Sequence, residues 1–287
     1  MKTRTSDLLL TAIAPAIWGS TYIVTTEFLP GFPPMTVALL RALPAGLLLL
    51  LLIVRQLPAG RWWPRVFVLG ALNFSVFWSM LFISAYRLPG GVAATVGAVQ
   101  PLIVVFIAAA LLGNRLRWPA ILAAALGLAG VALLVLTPRA SLDAVGVAAG
   151  LAGAVSMAFG TVLTRKWQPP VSLLTFTAWQ LTAGGLLLIP VAWALDPAIP
   201  VPTAGNLFGL AWLGLIGAAL TCFLMFRGIS RIDPAAVSLL GFLSPTTAVL
   251  LGWVFLNQAL SAAQAAGVLL VIGSIWLGQR ANGAGRG

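Results

Sequence analysis

The side chains that carry most enzyme chemistry are scarce in this chain. It has no histidine, a single cysteine, Cys222, and five acidic residues. Imidazole catalysis and histidine metal ligation are therefore excluded, and a cysteine without a histidine partner is expected to be an inert buried thiol. The acids are scattered along the chain, at Asp7, Glu27, Asp143, Asp196 and Asp233. We predict no catalytic residue, no metal site and no cofactor, and hence a protein that is not an enzyme.

Aromatic, amide and hydroxyl side chains instead occur in the middle of long apolar segments. Because a polar group that faces lipid is costly, these side chains predict the lining of a solute path. The candidates are Trp18, Tyr22, Asn73, Phe77, Trp78, Gln100, Phe159, Trp179, Gln180, Thr221 and Ser244. Flat rings flanked by amides suit an amphipathic aromatic or apolar amino acid, since ring stacking adds about 0.5–1.5 kcal/mol beyond burial. For the aromatic members, core packing is the alternative interpretation.

Arg41 is the one charge well inside an apolar segment, seven residues after Pro34, which is ~10 Å at helical rise. An ionisable residue at this depth is a functional-site hypothesis. Arg41 can attract a substrate carboxylate, pair with Glu27, or extend its head group towards the membrane surface. The sequence leaves these three roles open.

Pro101 and Pro245 lie inside two apolar segments, spans 4 and 9 below, at matching positions of the two halves. Such a proline removes a helix hydrogen bond, frees a carbonyl group and allows the helix to bend. Together with Gly19 and Gly160 in two other segments, these residues are predicted to act in gating.

The elements that position these residues follow from composition. Hydrophobic residues make up 61% of the 287 residues and charged residues only 7%, whereas a soluble domain has roughly 25% charged residues. A soluble globule is therefore excluded, and the solvent of this protein is mostly lipid. The net charge of +11 does not indicate nucleic-acid binding, because the basic residues are dispersed between apolar runs long enough to cross a bilayer.

Ten apolar segments are predicted to be membrane-spanning helices, since a helix of about 20 residues crosses the ~30 Å hydrocarbon core. These predicted spans 1 to 10 are 8–29, 34–54, 66–86, 92–112, 119–136, 145–164, 172–195, 207–227, 235–256 and 262–278. Thirteen basic residues fall on the side of the N-terminus, and two, Arg87 and Arg139, on the other side. This asymmetry predicts a multi-pass membrane protein whose termini are both cytoplasmic.

The two halves of the chain resemble each other. Residues 87–116 align without gaps on residues 231–260, and this shift of 144 positions matches Pro101 with Pro245. We predict two repeats, 1–139 and 140–287, of five spans each. Because five is odd, the second repeat must be inverted in the membrane, which is an architecture of secondary transporters.

The run Trp18-Gly19-Ser20-Thr21, the prolines Pro101 and Pro245 within spans 4 and 9, and the five-plus-five organisation resemble the EamA family of the drug/metabolite transporter superfamily. Within it the chain is similar to YddG-type exporters of aromatic amino acids. The resemblance implies an inner-membrane exporter of small amino acids or related metabolites. It also implies alternating access through a central cavity between the two repeats.

Ion-coupled carriers usually place an acid or a histidine within the membrane, whereas Glu27 lies about two residues from the predicted end of span 1. We therefore predict transport without ion coupling. Two alternatives stay open: export of amphipathic drugs, nucleosides or other metabolites, and a membrane scaffold without transport. The expected partners are a small-molecule substrate and membrane lipid but no nucleic acid, and we expect a monomer or weak oligomer.

Overall fold

The computed structural model describes residues 2–54, 56–88, 90–135, 143–255 and 261–283. In this part of the chain all regular structure is helical, and ten helical segments are long and apolar enough to cross a membrane. Spans 1 to 10 are Thr5–Thr25, Pro34–Leu51, Trp62–Ala85, Ala93–Leu112, Trp118–Val135, Ala144–Lys166, Leu173–Leu195, Ala204–Arg231, Pro234–Phe255 and Ala262–Arg280. The predictions of an all-helical chain and of ten spans are confirmed. Arg139, which contributes to the predicted orientation, lies outside the described residues.

Several spans are composed of more than one helix. The α-helices are Lys2–Phe28, Pro34–Leu48, Trp62–Gly70, Val76–Arg87, Gly90–Gly97, Gln100–Leu112, Trp118–Val135, Ala144–Lys166, Leu173–Leu195, Ala204–Ala211, Thr221–Arg231, Pro234–Leu240, Leu243–Phe255 and Ala262–Gly283. Three π-helical segments continue or interrupt them, at Leu49–Val54, Ala71–Ser75 and Trp212–Leu220.

Side-chain caps define where several spans begin. Asp143 accepts a hydrogen bond from the Gly146 amide at 2.7 Å, and Ser172 accepts one from the Thr175 amide at 3.1 Å. These side chains satisfy amide groups that have no partner inside the helix. The polar residues between apolar runs therefore position the ends of the spans.

Spans 4 and 9 are broken close to their prolines. In span 4 one helix ends at Gly97 and the next begins at Gln100. In span 9 one helix ends at Leu240 and the next begins at Leu243. Each proline lies in the first turn of the second helix, where its missing N–H group leaves a carbonyl of the preceding turn without its ordinary partner. The two breaks lie within one residue of the same position in the two halves.

The helix packing follows the same correspondence. Span 5 packs on span 10, and span 2 packs on span 7. Span 6 packs on spans 3 and 4, while span 1 packs on spans 8 and 9, and spans 3 and 7 pack together as do spans 8 and 2. Each span of the first half has a counterpart five spans later, so that span 1 corresponds to span 6 and span 5 to span 10. When every span is replaced by its counterpart, each of these pairings becomes another pairing of the set or stays unchanged. The two halves therefore make equivalent helix contacts.

Polar contacts join span ends and loops that the sequence assigns to the same membrane face. On the predicted inner face, the Asp7 carboxylate lies 2.6 Å from Arg227 and 3.5 Å from Arg231. On the predicted outer face, the Thr36 amide donates to the Asp196 carboxylate at 2.5 Å. These contacts hold span 1 to span 8 on one face and span 2 to the loop after span 7 on the other.

Replacement of Gly19 by alanine is expected to destabilise the packing of span 1 on span 9. An added Cβ would lie 2.7 Å from the Ser244 carbonyl oxygen and 2.7 Å from the Thr247 Cβ, and overpacking costs about 1–3 kcal/mol. Thermal unfolding in detergent should therefore show a lower Tm for Gly19→Ala. The matched control is Gly273→Ala in span 10, where nothing lies within 4 Å of an added Cβ. Equal Tm values for the two variants would contradict the tight span 1–span 9 contact.

Candidate functional site

A single backbone carbonyl, that of Gly217 in span 8, collects side-chain donors from three spans. It accepts hydrogen bonds from Trp18 Nε1 at 3.2 Å, from Arg41 Nη2 at 2.5 Å and from Thr221 Oγ1 at 2.8 Å. Trp18 Nε1 also donates to Thr221 Oγ1 at 2.9 Å. The Arg41 guanidinium lies over the ring of Trp78, 5.0 Å from its centroid. We call these five residues the Gly217 cluster.

The Gly217 carbonyl is available because span 8 is π-helical from Trp212 to Leu220. At the end of this segment the Thr221 amide bonds to the carbonyls of Ile216 and Ala218, not to that of Gly217, which would be its partner in an α-helix. In lipid such a carbonyl must find other donors. The π-helix therefore converts one backbone group of span 8 into an acceptor for side chains of spans 1 and 2.

Arg41 is half-buried and has no carboxylate partner in the described part of the chain. The ion pairs among the described residues do not include it, and Glu27 is exposed, so the pairing left open by the sequence is not formed. Its Nη2 atom bonds inward to span 8, which does not fit an extension towards the membrane surface. Its Nε atom is enclosed and has no hydrogen-bond partner. The guanidinium thus contacts a carbonyl dipole and an aromatic ring, neither of which carries a full negative charge.

A second polar cluster lies between spans 3, 6 and 7. Asn73 Nδ2 donates to Gln180 Oε1 at 2.8 Å and to Thr164 Oγ1 at 3.1 Å. Asn73 is 4% exposed and the other two are fully buried. A Cβ on Gly160 would clash with the Asn73 side-chain oxygen, so glycine permits the approach of span 6. We call these four residues the Asn73 cluster; within it, Gln180 Nε2 is enclosed without a partner.

The two clusters occupy equivalent positions in the two halves. Asn73 lies in the π-helical segment Ala71–Ser75 of span 3, and the 144-residue shift of the repeat brings it onto Gly217 in the π-helical segment of span 8. The Asn73 cluster joins spans 3, 6 and 7, and the hydrogen bonds of the Gly217 cluster join the corresponding spans 8, 1 and 2. Trp78 adds a contact from span 3 to the Gly217 cluster. π-Helical segments within α-helices are frequent at functional sites.

The structure brings together some of the predicted site residues. Trp18, Arg41, Trp78 and Thr221 meet in the Gly217 cluster, and Asn73, Gln180 and the predicted gating residue Gly160 meet in the Asn73 cluster. Phe77 is half-buried and packs with Trp18 and Trp78 in one hydrophobic core.

Other predicted site residues lie elsewhere. Trp179 is buried among Trp62 and Phe176, and its Nε1 atom donates to the Gln56 carbonyl at 2.7 Å. Phe159 is 38% exposed. Gln100 and Ser244, like Pro101 and Pro245, lie at the helix breaks of spans 4 and 9. The side chain of Tyr22 lies outside the described part of the structure.

Gly217 and Thr164 are not among the site residues predicted from the sequence, and the role of Gly160 in making room for the Asn73 side chain is not predicted either. In the sequence, Gly217 is one of many glycines in an apolar run. Its role as an acceptor depends on a π-helix that the sequence pattern does not predict. The available signal was the mid-membrane Arg41, which needs an acceptor from a facing helix.

In the described ranges of the chain, ten apolar spans, helix breaks in spans 4 and 9, and polar clusters within the spans are typical of membrane transport proteins. A profile of the EamA-like transporter family matches residues 5–136 and again residues 144–278. The chain belongs to this family and is a multi-pass transporter of the bacterial inner membrane.

Individual relatives cover most of the chain. Protein PecM of Dickeya dadantii is 47% identical over 264 residues, which cover 91% of this chain and 88% of PecM. The uncharacterized inner membrane transporter YedA of Escherichia coli K12 is 30% identical over 243 residues, 82% of this chain and 78% of YedA. A solved crystal structure superimposes with a TM-score of 0.81 at 23% identity and covers 96% of this chain and 98% of its own. This last likeness shows the fold alone.

The Asn73 cluster is expected to behave as one energetic unit. Asn73→Leu leaves the buried Gln180 Oε1 and Thr164 Oγ1 without their donor, and an unsatisfied buried group costs about 1–3 kcal/mol. The double variant Asn73→Leu/Gln180→Leu should lose less stability than the sum of the single variants, because it also removes one stranded acceptor.

The measurement is Tm in detergent for the single and double variants. The control pairs Asn73→Leu with Gln264→Leu, whose amide donates to the Leu134 carbonyl at 3.2 Å. That pair should be additive. Additivity in both pairs would mean that Asn73 and Gln180 are not coupled.

Proposed function

We propose that this transporter is a facilitative exporter of small neutral or aromatic amino acids, or of related metabolites. It works by alternating access, and its substrate path runs between two inverted repeats past the Gly217 and Asn73 clusters. The observation that carries this proposal is the occurrence of the two clusters at equivalent π-helical segments. In a carrier built from two related halves, equivalent polar sites are where a solute exchanges hydrogen bonds with both halves.

The division into repeats 1–139 and 140–287 has three supports. The family profile matches twice, with the boundary between residues 136 and 144. The major helix pairings of the two halves correspond, and so do the breaks in spans 4 and 9. Five spans per repeat and the distribution of basic residues then favour inverted repeats with both termini in the cytoplasm.

The absence of ion coupling is supported by the positions of the carboxylates. Asp7, Asp143, Asp196 and Asp233 are each bonded to a neighbouring helix start, amide or arginine at the ends of the spans. Glu27 lies beyond the end of span 1 and is exposed. Since the chain has no other acid and no histidine, no side chain that usually binds a coupling proton or sodium ion lies at mid-membrane depth. The same distribution argues against a catalytic role.

Flux measurements in proteoliposomes test the proposed transport. With a panel of radiolabelled amino acids and related metabolites, we expect saturable movement down the solute gradient. Imposed proton or sodium gradients should not concentrate the solute. Accumulation driven by either ion would overturn the uncoupled mechanism, and the absence of flux for the whole panel with folded protein would overturn export of this class of solute. Amphipathic drugs and nucleosides belong in the panel, because the same aromatic and amide lining suits them.

Labelling at the span 4 break separates a transporter from a scaffold. In a Cys222→Ser background, we expect Gln100→Cys to react with a membrane-impermeant thiol reagent, because a solute path must admit water. Ala123→Cys, at a fully buried position of span 5, is the control and should stay protected. Complete protection of both positions would favour a scaffold without transport.

A further inference from the structure

The Gly217 cluster contains an uncompensated positive charge inside the membrane. Arg41 is located in span 2, and none of the ion pairs found among the described residues reaches it. An unpaired charge away from water is costly. The contacts with the Gly217 carbonyl and the Trp78 ring reduce this cost but leave the net charge in place. A ligand that brings a negative charge to this point therefore gains more than a neutral one.

The donors of this cluster are arranged as an oxyanion would require. Arg41 Nη2, Trp18 Nε1 and Thr221 Oγ1 all point to one oxygen atom, that of the Gly217 carbonyl. Arg41 Nε, which forms the side-on fork of the guanidinium together with Nη2, is enclosed and unpartnered. A carboxylate that displaces the carbonyl can accept from both Nε and Nη2, which is the strong bidentate arrangement. Without a ligand, the Gly217 carbonyl oxygen thus accepts the hydrogen bonds that one oxygen of a bound carboxylate would accept.

The surroundings of this fork are aromatic and lack acids. Trp78 lies below the guanidinium and packs edge-on against Phe74 at a centroid distance of 5.3 Å, and Trp18 lies beside it. These rings can cover a flat apolar body attached to a carboxylate. The five acids of the chain are engaged or exposed at the span ends, so the ammonium group of an amino acid would find no carboxylate near the fork. A zwitterion therefore gains one charge contact here and loses the hydration of its ammonium group.

We propose that the Gly217 cluster is a carboxylate-binding subsite, and that the preferred substrates are small organic anions with a flat apolar body rather than zwitterionic amino acids. This inference rests on the proposed transport function. Within the proposed substrate class, it favours related metabolites that are anions over the amino acids themselves. Because an anion moves without a coupling cation, its transport is electrogenic and responds to the membrane potential.

Binding to purified protein tests the subsite independently of transport. The probes are 3-phenylpropionate and phenylalanine, which share a ring and a carboxylate but differ in the ammonium group. By equilibrium dialysis we expect the wild type to bind 3-phenylpropionate at least about tenfold more tightly than phenylalanine. Arg41→Gln should weaken its binding roughly tenfold to hundredfold, which corresponds to a lost charge-assisted hydrogen bond. Arg41→Lys keeps the charge but loses the fork. Its affinity for 3-phenylpropionate should therefore lie between that of the wild type and that of Arg41→Gln.

The matched control is Arg65→Gln. Arg65 also lies over tryptophan rings, 5.1 Å from the centroid of Trp62 and 5.5 Å from that of Trp167, but outside the Gly217 cluster. Its loss should leave 3-phenylpropionate binding unchanged. Should Arg41→Gln fail to fold, Trp18→Phe provides the second variant, because it removes one donor and keeps a ring. Equal affinities for the two probes, or unchanged binding in both Arg41 variants, would overturn the subsite.

Proteoliposomes then separate the subsite from the transport function. The membrane potential is set with a potassium gradient and valinomycin, and the entry rate in protein-free vesicles is subtracted. An inside-negative potential should then slow the protein-dependent entry of 3-phenylpropionate and should not change that of phenylalanine. Saturable flux of phenylalanine with equal probe affinities would leave the transporter standing and refute the anion preference. Tight 3-phenylpropionate binding without flux of any solute would support the subsite and refute the proposed export.

Discussion

In hydrocarbon every backbone carbonyl needs a donor, and the arrangement of spans 1, 2 and 8 depends on how this need is met at Gly217. In the π-helical segment from Trp212 to Leu220, this carbonyl has no bond to its usual amide partner. It instead accepts hydrogen bonds from an indole, a guanidinium and a hydroxyl group. One backbone group of span 8 therefore connects spans 1 and 2, which follow each other in the chain, with a helix that is distant from both in sequence. The same contact holds Arg41 at a depth where it would otherwise have no acceptor.

The equivalent site in the first half of the molecule, around Asn73, meets the same need in a different way. Around Asn73 the π-helical segment Ala71–Ser75 is joined to its neighbours by side-chain hydroxyls: Ser156 donates to the Leu72 carbonyl at 2.9 Å, and Ser75 donates to the Gly184 carbonyl at 2.8 Å. Asn73 then adds bonds to its two buried partners. The two clusters are equivalent in position but differ in charge, since only one of them contains an arginine. Along the proposed path, a solute would therefore meet one cationic and one neutral polar site.

The helical spans are predictable from the sequence, whereas the composition of the clusters is predictable only in part. Apolar runs of about 20 residues have one stable form in lipid, and Pro101 and Pro245 indicate the broken helices. Arg41, Asn73 and Gln180 stand out because polar groups are rare at their depth. Their partners do not stand out, because a carbonyl acceptor has no sequence signature and a π-helix depends on the tertiary contacts that it makes.

The position of Trp179 illustrates the same limit. Its position along predicted span 7 suggests a residue that lines the path. Its indole nitrogen, however, donates to the Gln56 carbonyl in the loop after span 2. A tryptophan needs one acceptor for its single N–H group, and either a solute path or a loop carbonyl can supply it. Only the packing of span 7 against spans 2 and 3 decides between them.

The hydrogen bonds of the clusters also bear on movement between the two halves. Each cluster joins helices of both repeats: Trp18 and Arg41 belong to the first half and Gly217 to the second, while Asn73 belongs to the first and Gln180 to the second. Any rearrangement that separates the halves at one cluster exposes polar groups that lipid cannot satisfy. A substrate with its own acceptors can replace the lost partners at that moment, so the free energy of separation is lower with solute than without it. In the uncoupled carrier that we propose, this difference would link the movement of the two halves to the presence of the solute.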